Sequence, residues 1–352
     1  MKEIIPPVGK ELLKQELTPE KKLRDTNKGH NEIYVVTWQD SPNIVREIGR
    51  LREVTFRDAG GGTGKELDLD EFDTMEVPYK QLIVWDPDAE AILGGYRYLP
   101  CRDAAIDEKG QPVLATSHMF KFSEKFMREY MPYTLELGRS FVTPEYQSSK
   151  AGAKALFAMD NLWDGLGAVM FNIPEMKYYF GKMTTYKSYP TYAFDLIIYF
   201  LDKHFPDKER LIRPYSPIES EHERSALRKV LNKRDFKKDY KLLNAEIRNL
   251  GCNIPPLVNS YMNISPTMKV FGSAVNDEFG DVIETGILVT YEDIYDDKRA
   301  RHIDSYIKER VRKIHLRFPR FVEAAGERLA ERFKERREKI QRRIHSRKEN
   351  RE

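Results

Sequence analysis

The stretch from Thr134 to Ala153 carries the residues of this chain with the clearest chemical potential. It reads TLELGRSFVTPEYQSSKAGA and places the carboxylate of Glu136 three residues before the guanidinium of Arg139. Its second half, Gln147 to Gly152, is small and rich in hydrogen-bond donors, and it opens an apolar helical run. A turn into a helix N-terminus offers free N–H groups and the positive end of the helix dipole. The segment therefore predicts an anion-binding site, with an ordinary strand-to-helix connection as the alternative.

The residues that must position this pair form a predicted strand. Thr134 to Val142 is apolar and β-prone, as expected for a strand. Strand side chains alternate between faces, so residues three apart point to opposite sides unless a bulge intervenes. Thr143 and Pro144 end the strand, because proline supplies no N–H donor to a sheet.

Length and composition indicate a soluble globular protein. The chain has 352 residues, 40% hydrophobic and 33% charged, enough for one large domain or two. Cys101 and Cys252 are the only cysteines, too few for a disulfide framework and without metal-ligand spacing. The N-terminal residues contain no apolar signal region, and the longest apolar stretch, Tyr192 to Leu201, is broken by Asp195. We expect a cytoplasmic protein without a membrane-spanning segment.

The basic charge is concentrated in the C-terminal tail. The net charge is +3, and residues 320–352 hold 12 Lys/Arg against 7 Asp/Glu. Apolar residues at helical spacing from Ile303 to Ile344 predict a basic amphipathic helix in the segment 298–352, which could lie on an anionic membrane surface. The alternative is a helix docked on the core. We expect no nucleic acid binding, because no reading motif accompanies the charges.

The remaining elements follow from periodicity and turn residues. Ser41 is a natural N-cap with Pro42 at the first helical position. Residues 1–31 are polar and predict a loose lead-in. The predicted elements are strands Glu32–Trp38, Gln81–Trp85, Ile92–Leu99 and Tyr178–Gly181, helices Ser41–Phe56, Leu156–Leu166 and Pro190–Phe205, a helical insertion over 219–250, and a hairpin of Met268–Ala274 with Thr285–Tyr291.

Three other motifs contain residue types that are common at ligand sites. Gly60-Gly-Gly-Thr-Gly64-Lys65 lacks the spacing and the Ser/Thr of a phosphate-binding loop, so we predict a flexible loop. The acidic run from Asp68 to Asp73 could bind a cation but lacks the EF-hand pattern. Gly94 and Gly95 stand mid-strand before Arg97, where we expect a close approach to the backbone.

Several of these residues together match a known pattern. The shared features are an arginine and a phenylalanine four apart, two aspartates around an aromatic residue, an arginine in a Gly-x-Arg strand, and Glu-x-x-Arg on the central strand. The residues that carry them are Arg52, Phe56, Asp70, Phe72, Asp73, Gly95, Arg97, Glu136 and Arg139. This order over about ninety residues resembles the GNAT enzymes that take acyl chains from acyl carrier protein. These comprise the acyl-homoserine-lactone synthases and the hemolysin-like N-acyl amino acid synthases of ornithine and glycine lipids.

Two further matches refine the resemblance. Leu-Glu-Leu-Gly-Arg-Ser followed by Val-x-Pro-x-Tyr favours the N-acyl amino acid branch. Gln147, Lys150 and Gly152 resemble the GNAT turn Arg/Gln-x-x-Gly-x-Gly/Ala, with lysine in place of its first glycine. The resemblance implies an α/β GNAT fold over 32–297, with a mixed central sheet flanked by helices. It also implies transfer of a long acyl chain, with or without a 3-hydroxyl group, from acyl carrier protein to a small amino acid. Glycine is our first choice of acceptor.

The chemistry of amide synthesis then assigns roles. Glu136 is the candidate base for the acceptor's ammonium, and a strand N–H near Ser140 or Phe141 is a candidate oxyanion donor. Arg97 and Arg139 are candidates to hold the acceptor's carboxylate. A buried ion pair of Glu136 with Arg139 is the structural alternative.

The other residues of the pattern are assigned to the acyl pocket and the donor. Asp70 and Asp73 are expected to order the loop over the acyl pocket through Arg52, beside Phe56. The turn Gln147, Lys150 and Gly152 is expected to hold the donor's arm, and Lys150 with Lys154 to steer the acidic carrier protein. No metal or cofactor is expected beyond acyl-ACP or acyl-CoA as donor. The alternatives are an acetyl-CoA-dependent acetyltransferase and a non-catalytic membrane-associated protein.

Overall fold

The computed structural model describes residues 1–147 and 153–310, except for the side chains of 153–156. Lys150 and Gly152 of the predicted turn lie outside these residues, as do the side chain of Lys154 and the tail after residue 310. The expectations for them stay predictions.

An eight-stranded sheet forms the centre of the described chain. In spatial order its strands are β1 (Lys22–Asp25), β2 (Glu32–Val36), β3 (Lys80–Asp86), β4 (Ala91–Pro100), β6 (Thr134–Val142), β7 (Tyr178–Thr185), β10 (Val282–Thr290) and β9 (Lys269–Asn276). A small pair, β5 (Phe120–Phe122) with β8 (Ile212–Pro214), is antiparallel. Within the large sheet, β6 and β7 are parallel, and the other neighbouring strands are antiparallel.

The parallel pairing of β6 with β7 is short. It joins Thr134–Glu136 to Tyr178–Phe180 and then stops, although both strands continue. Gly181 follows this pairing, and a Cβ there would lie 2.9 Å from the carbonyl oxygen of Leu137. A residue without a side chain is therefore needed where the two strands begin to diverge.

Helices cover both faces of the sheet. They are α1 (Lys10–Glu16), α2 (Pro42–Asp58), α3 (Glu71–Thr74), α4 (Ala153–Asn172), α5 (Thr191–His204), α6 (Arg224–Val230), α7 (Phe236–Asn249), α8 (Pro256–Met262) and α9 (Asp296–Arg299). Leu82 and Val84 of β3 pack in the core cluster that contains α4 and α5, while Ile83 and Trp85 pack in the cluster with α2. The alternation along β3 thus separates two hydrophobic layers.

The lead-in is more ordered than its sequence indicates. Residues 1–31 contain α1 and β1, and β1 is one of the two edge strands of the sheet. Glu16 accepts hydrogen bonds from the backbone N–H of Asn43 at 3.1 Å and of Ile44 at 2.9 Å. Ser41 occupies the N-cap of α2 as predicted but makes no side-chain cap bond. The carboxylate of Glu16 satisfies the free N–H groups of that helix instead.

The predicted elements of the core are present, with ends that differ by up to a few residues in either direction. They include the hairpin of β9 and β10 and the helices α6 and α7 within 219–250. The strands β5 and β8 were not predicted, because three residues carry no measurable periodicity. At the start of the predicted C-terminal helix, Ile303 and Ile307 are buried against the core. This part of the stripe is docked, and the rest lies beyond residue 310.

Candidate active site

A bulge in β6 changes the direction of Arg139. Arg97 of β4 pairs with Gly138, and Gly95 pairs with Phe141, so Arg139 and Ser140 together stand opposite the single residue Tyr96. Arg139 takes a φ of +48°, in the left-handed region that non-glycine residues rarely adopt. Glu136 and Arg139 form no ion pair with each other in the part of the chain that the structure describes. The alternative of a buried ion pair between these two residues is therefore not observed in this strand.

Arg139 instead faces the acidic run. Its Nε lies 2.8 Å from Oδ2 of Asp68, and its Nη2 lies 3.6 Å from Oδ2 of Asp70. The guanidinium also stands over the ring of Phe279 at 4.4 Å from the centroid. The bulge thus places the cation between an acidic loop and the tip of the β9–β10 hairpin.

The other two arginines of the sequence pattern form a buried network with Asp73. Arg52 Nη1 lies 3.1 Å from both oxygens of Asp73, and its Nη2 donates to Gln81 at 2.5 Å. Arg97 Nη1 donates to Asp70 at 2.6 Å and to Asp73 at 3.1 Å. Burial acts to raise the pKa of Asp73, but the charges of Arg52 and Arg97 outweigh it and hold that pKa well below its ordinary value. The expected link from Asp73 to Arg52 is present, and it fixes the loop that carries α3.

Arg97 does not take the place expected of an acceptor-binding residue. It is buried, it is held by Asp70 and Asp73, and it is not part of the cavity wall described below. The glycines that precede Arg97 were expected to allow a close approach to the backbone. The neighbouring strand β6 makes this approach, since a Cβ on Gly94 would collide with the carbonyl oxygen of Phe141. Arg97 therefore positions the acidic loop in this geometry.

Glu136 is buried beside Tyr79. The Tyr79 hydroxyl donates to Oε2 of Glu136 and accepts from the backbone N–H of Ala115 at 3.0 Å. Burial raises the pKa of Glu136 above its ordinary value, against the hydrogen bond from Tyr79 and the charges of Arg97 and Lys182. A raised pKa brings a carboxylate closer to the range of a useful general base at neutral pH.

A cavity of about 400 Å³ opens where β6 and β7 diverge. Most of its wall is apolar, which is typical of small-molecule sites. Its charged lining residues are Arg139, Lys182 and Glu284. Of the residues predicted from sequence, Phe56, Arg139 and Ser140 line the cavity, whereas Glu136, the predicted base, does not.

Two tyrosines stand at the cavity beside Ser140. Tyr96, Tyr261 and Ser140 all line it. Burial raises the pKa of both tyrosines. They are therefore neutral hydroxyl groups at physiological pH and can donate a proton to a group that leaves as an anion.

Two of the residues that were predicted to bind the acyl donor belong to the described part of the chain. Gln147 is exposed, and its side-chain amide donates to the carbonyl of Val142 at 2.6 Å, where it closes the end of β6. The side chain of Phe141 packs in the hydrophobic cluster with α2. The other residues of the turn and Lys154 belong to the parts of the chain not described above.

The glycine-rich loop is held by contacts within the chain. In the glycine-rich loop, the N–H groups of Thr63 and Gly64 donate to the buried carboxylate of Glu53 at 3.0 and 2.8 Å. These donors are already occupied, and the loop is anchored rather than free. Within residues 1–147 and 153–310, no group of three or more His, Cys, Asp or Glu side chains could hold a metal ion. None of the helices described is long and apolar enough to cross a bilayer.

The structure adds residues that the sequence analysis did not select. They are Asp68, Tyr79, Gln81, Tyr96, Lys182, Tyr261 and Glu284. Asp68 belongs to the acidic run and could have been chosen with Asp70. Lys182 and Glu284 lie outside the recognised motifs, on strands of ordinary composition, and only the pairing of β7 with β10 brings them together.

The chain is similar to one family model, to curated relatives and to a solved structure. Residues 51–156 match the family model described as acetyltransferase (GNAT) domain. A glycine N(alpha)-acyltransferase of Phocaeicola vulgatus is 62% identical over 309 residues, covering 88% of this chain and 95% of that protein. One of Bacteroides thetaiotaomicron is 61% identical over 308 residues, covering 88% and 91%. Among solved structures, a CoA-dependent acyl-homoserine lactone synthase, BjaI, with SAM and isopentyl-CoA, aligns with a TM-score of 0.26 and 14% identity, covering 44% of this chain and 66% of that one.

Proposed function

The chain belongs to the glycine N(alpha)-acyltransferase family, and from this premise we propose that it transfers a long fatty acyl chain from acyl carrier protein to the α-amine of glycine. The predicted GNAT fold and the acyltransferase class are confirmed. The alternative of a non-catalytic membrane-associated protein is wrong. Glycine is proposed as the acceptor because both relatives carry it in their names.

The observation that carries the proposal is the cavity between the diverging strands. Its volume of about 400 Å³ falls in the range of ligand pockets, which are largely apolar with a few placed polar groups. The apolar wall suits an acyl chain, and the charged residues Arg139, Lys182 and Glu284 suit a small zwitterion. A long acyl donor and a small amino acid therefore fit this lining better than two polar substrates.

The reaction requires one proton transfer before the bond to nitrogen forms. The acceptor's ammonium must lose a proton, and we assign this proton to Glu136, whose pKa is raised by burial. Because Glu136 does not line the cavity, we propose that the proton reaches it through one intervening water. The amine then attacks the thioester carbonyl carbon, and the backbone N–H of Ser140 at the bulge stabilises the oxyanion. The C–S bond breaks, and Tyr96 or Tyr261 gives a proton to the leaving thiolate. The resulting tyrosinate takes the second proton from the attacking nitrogen, which leaves a neutral amide, a free thiol and a protonated Glu136 that releases its proton to solvent.

The properties of the acyl donor and of the product indicate where in the cell the enzyme would act. The turn of Gln147, Lys150 and Gly152 would hold the phosphopantetheine arm, and Lys150 with Lys154 would attract the acidic carrier protein. An N-acylated glycine with one long chain is an aminolipid that partitions into a bilayer. We therefore propose cytoplasmic synthesis at the inner membrane face, with the basic residues after 310 as the membrane contact.

The test is a reconstituted acylation with purified full-length protein. Acyl carrier protein loaded with a 16-carbon chain is mixed with glycine, and the amide product is measured by mass spectrometry. Parallel reactions contain palmitoyl-CoA or acetyl-CoA as donor, and serine or ornithine as acceptor. We expect N-acylglycine from the carrier-bound chain. Failure to form it from either long-chain donor refutes the proposal, and product from acetyl-CoA alone supports the acetyltransferase alternative.

A further inference from the structure

Lys182 and Glu284 form a buried ion pair on the cavity wall. Glu284 stands opposite Thr184 in the register of β7 with β10, and Lys182 precedes Thr184 by two residues, so the three side chains share one face. Lys182 Nζ lies 3.3 Å from Oε1 of Glu284, and the two side chains are 11% and 2% exposed. The Thr184 hydroxyl donates to Oε2 of Glu284 at 3.1 Å. Both charges therefore belong to the wall and not to the outer surface.

This pair differs from the other buried charges near the cavity. Arg52 and Arg97 each interact with two side chains of the acidic network. Lys182 has a single ion-pair partner among the residues described, Glu284. An ammonium group carries three donors, so Lys182 can bind a further acceptor that enters the cavity.

The electrostatic surroundings favour an anion at this position. Burial lowers the pKa of Lys182 from its ordinary value, and the positive charges of Arg139 and Arg97 act in the same direction, against Glu284. Of these cations, Lys182 and Arg139 line the cavity, and their charges repel each other. A carboxylate placed next to Lys182 and Arg139 would relieve this repulsion.

A free α-amino acid carries both charges that complement the pair. Its carboxylate and ammonium are joined through one carbon, and the wall presents a cation and an anion 3.3 Å apart. We propose that Lys182 and Glu284 form the acceptor subsite, in which Lys182 binds the carboxylate and Glu284 binds the ammonium of the amino acid. This inference rests on the proposed function and names the residues that recognise the acceptor. Glu136 is then left to take the proton, and Arg139 supports the carboxylate from the bulge.

The test separates acceptor binding from donor binding. Lys182→Met keeps the apolar stem and removes the charge. Loss of one charge-assisted hydrogen bond, ~1.5–3 kcal/mol, predicts a KM for glycine raised ~10- to 100-fold, with the KM for the acyl donor changed less than twofold. Glycinamide, which lacks the carboxylate, should be a poor acceptor for the wild type, and Lys182→Met should use glycine and glycinamide about equally.

A matched control lies at the ends of the same strands. Lys187 Nζ pairs with Asp281 at 2.9 Å, with side chains 63% and 52% exposed. Lys187→Met removes the same charge outside the cavity and should leave both KM values unchanged within twofold. An equal effect of Lys187→Met and Lys182→Met would mean that general charge, rather than the subsite, is responsible, and would overturn the inference.

A second variant separates a loss of acceptor binding from a loss of folding. Lys182→Met alone leaves the Glu284 carboxylate buried without its cation, whereas Lys182→Met/Glu284→Gln removes both charges at nearly constant volume. The double variant should keep the thermal midpoint of the wild type within a few degrees and still show the raised KM for glycine. An unchanged KM for glycine in both variants refutes the subsite.

A binding experiment distinguishes failure of this inference from failure of the proposed function. If the wild type acylates no amino acid, the proposed function fails, and calorimetric titration of glycine into the wild type and Lys182→Met proteins still tests the subsite. Binding to the wild type that is lost in Lys182→Met supports the subsite. Equal binding to both proteins, or binding to neither, overturns it.

Discussion

Asp73→Asn is the sharpest test of the buried network that supports the site. The Oδ1 atom of Asp73 accepts from Arg52 and from Gln81 at 2.9 Å, and Oδ2 accepts from Arg52, from Arg97 and from the backbone N–H of Asp70 at 3.2 Å. An asparagine keeps only one oxygen. Whichever oxygen is replaced, an amide NH₂ group then faces at least two donors, and the network also loses its central negative charge.

The magnitude follows from what remains after the change. Removing one partner of a buried ion pair costs about 3–5 kcal/mol. Arg97 keeps Asp70 and Arg52 keeps Gln81, so we expect a loss of ~3 kcal/mol in the free energy of unfolding, at the lower end of that range. With a urea dependence of ~3 kcal/mol per molar, the unfolding midpoint should fall by ~1 M.

The electrostatic contribution of Asp73 to the free energy of unfolding depends on pH. The pKa of Asp73 is lower in the folded protein than its ordinary value, so its ionised form stabilises the fold above the unfolded-state pKa. That stability is lost as the pH falls below about 4. The difference in stability between wild type and Asp73→Asn should therefore be constant near neutral pH and narrow as the pH falls below about 4.

The assay is urea unfolding followed by the fluorescence of the three tryptophans. Asp281→Asn is the matched control, because that carboxylate is 52% exposed in its pair with Lys187, and its loss should cost under about 0.5 kcal/mol. A midpoint for Asp73→Asn within about 0.2 M of wild type, or equal to that of the control, would show that the network does not stabilise the loop.

Three further predictions concern the reaction and its location. Glu136→Gln should lower turnover ~100-fold or more, while the urea midpoint stays near that of the wild type. The turnover of the wild type should fall as the pH drops through the raised pKa of Glu136. Turnover of the variant near that of the wild type would show that Glu136 has only a structural role. Lys150→Glu/Lys154→Glu should raise the KM for acyl carrier protein relative to the wild type, and by a larger factor at low salt than at high salt. A variant whose KM equals that of the wild type at both salt concentrations would exclude steering by these lysines. Deleting residues 320–352 should release the protein from anionic liposomes in co-sedimentation while activity on soluble substrates is kept; full-length protein that stays in the supernatant at low salt contradicts a membrane role for the tail.

Local signals in the sequence were sufficient for most of the core. The strand from Thr134 to Val142 has the predicted bounds, and Pro42 begins α2 as expected. The lead-in was missed because its order depends on contacts far along the chain, such as that of Glu16 with the start of α2. The side of the strand to which Arg139 points could not be predicted either, because a bulge is set by pairing with Gly95 and Arg97 and leaves no composition signal.

The site was harder to predict than the fold, for a physical reason that Lys182 illustrates. The sequence pattern selected residues with fixed local spacing. In the structure Arg52 and Arg97 both contact Asp73, and all three residues lie outside the cavity wall. Lys182 and Glu284 line the cavity but become neighbours only when β7 pairs with β10.

These two groups of residues should respond differently to mutation. A residue of the buried network acts by holding the loop and the bulge in place, so its loss should lower the stability and the turnover together. A residue of the cavity wall acts on the acceptor directly, so its loss should raise the KM for glycine at nearly unchanged stability. Measuring the urea midpoint and the KM for glycine on Asp73→Asn and on Lys182→Met/Glu284→Gln therefore assigns each group by its effect. The reverse pattern, with a raised KM for Asp73→Asn and lost stability for the double variant, would place the acceptor at the acidic loop instead of between β6 and β7.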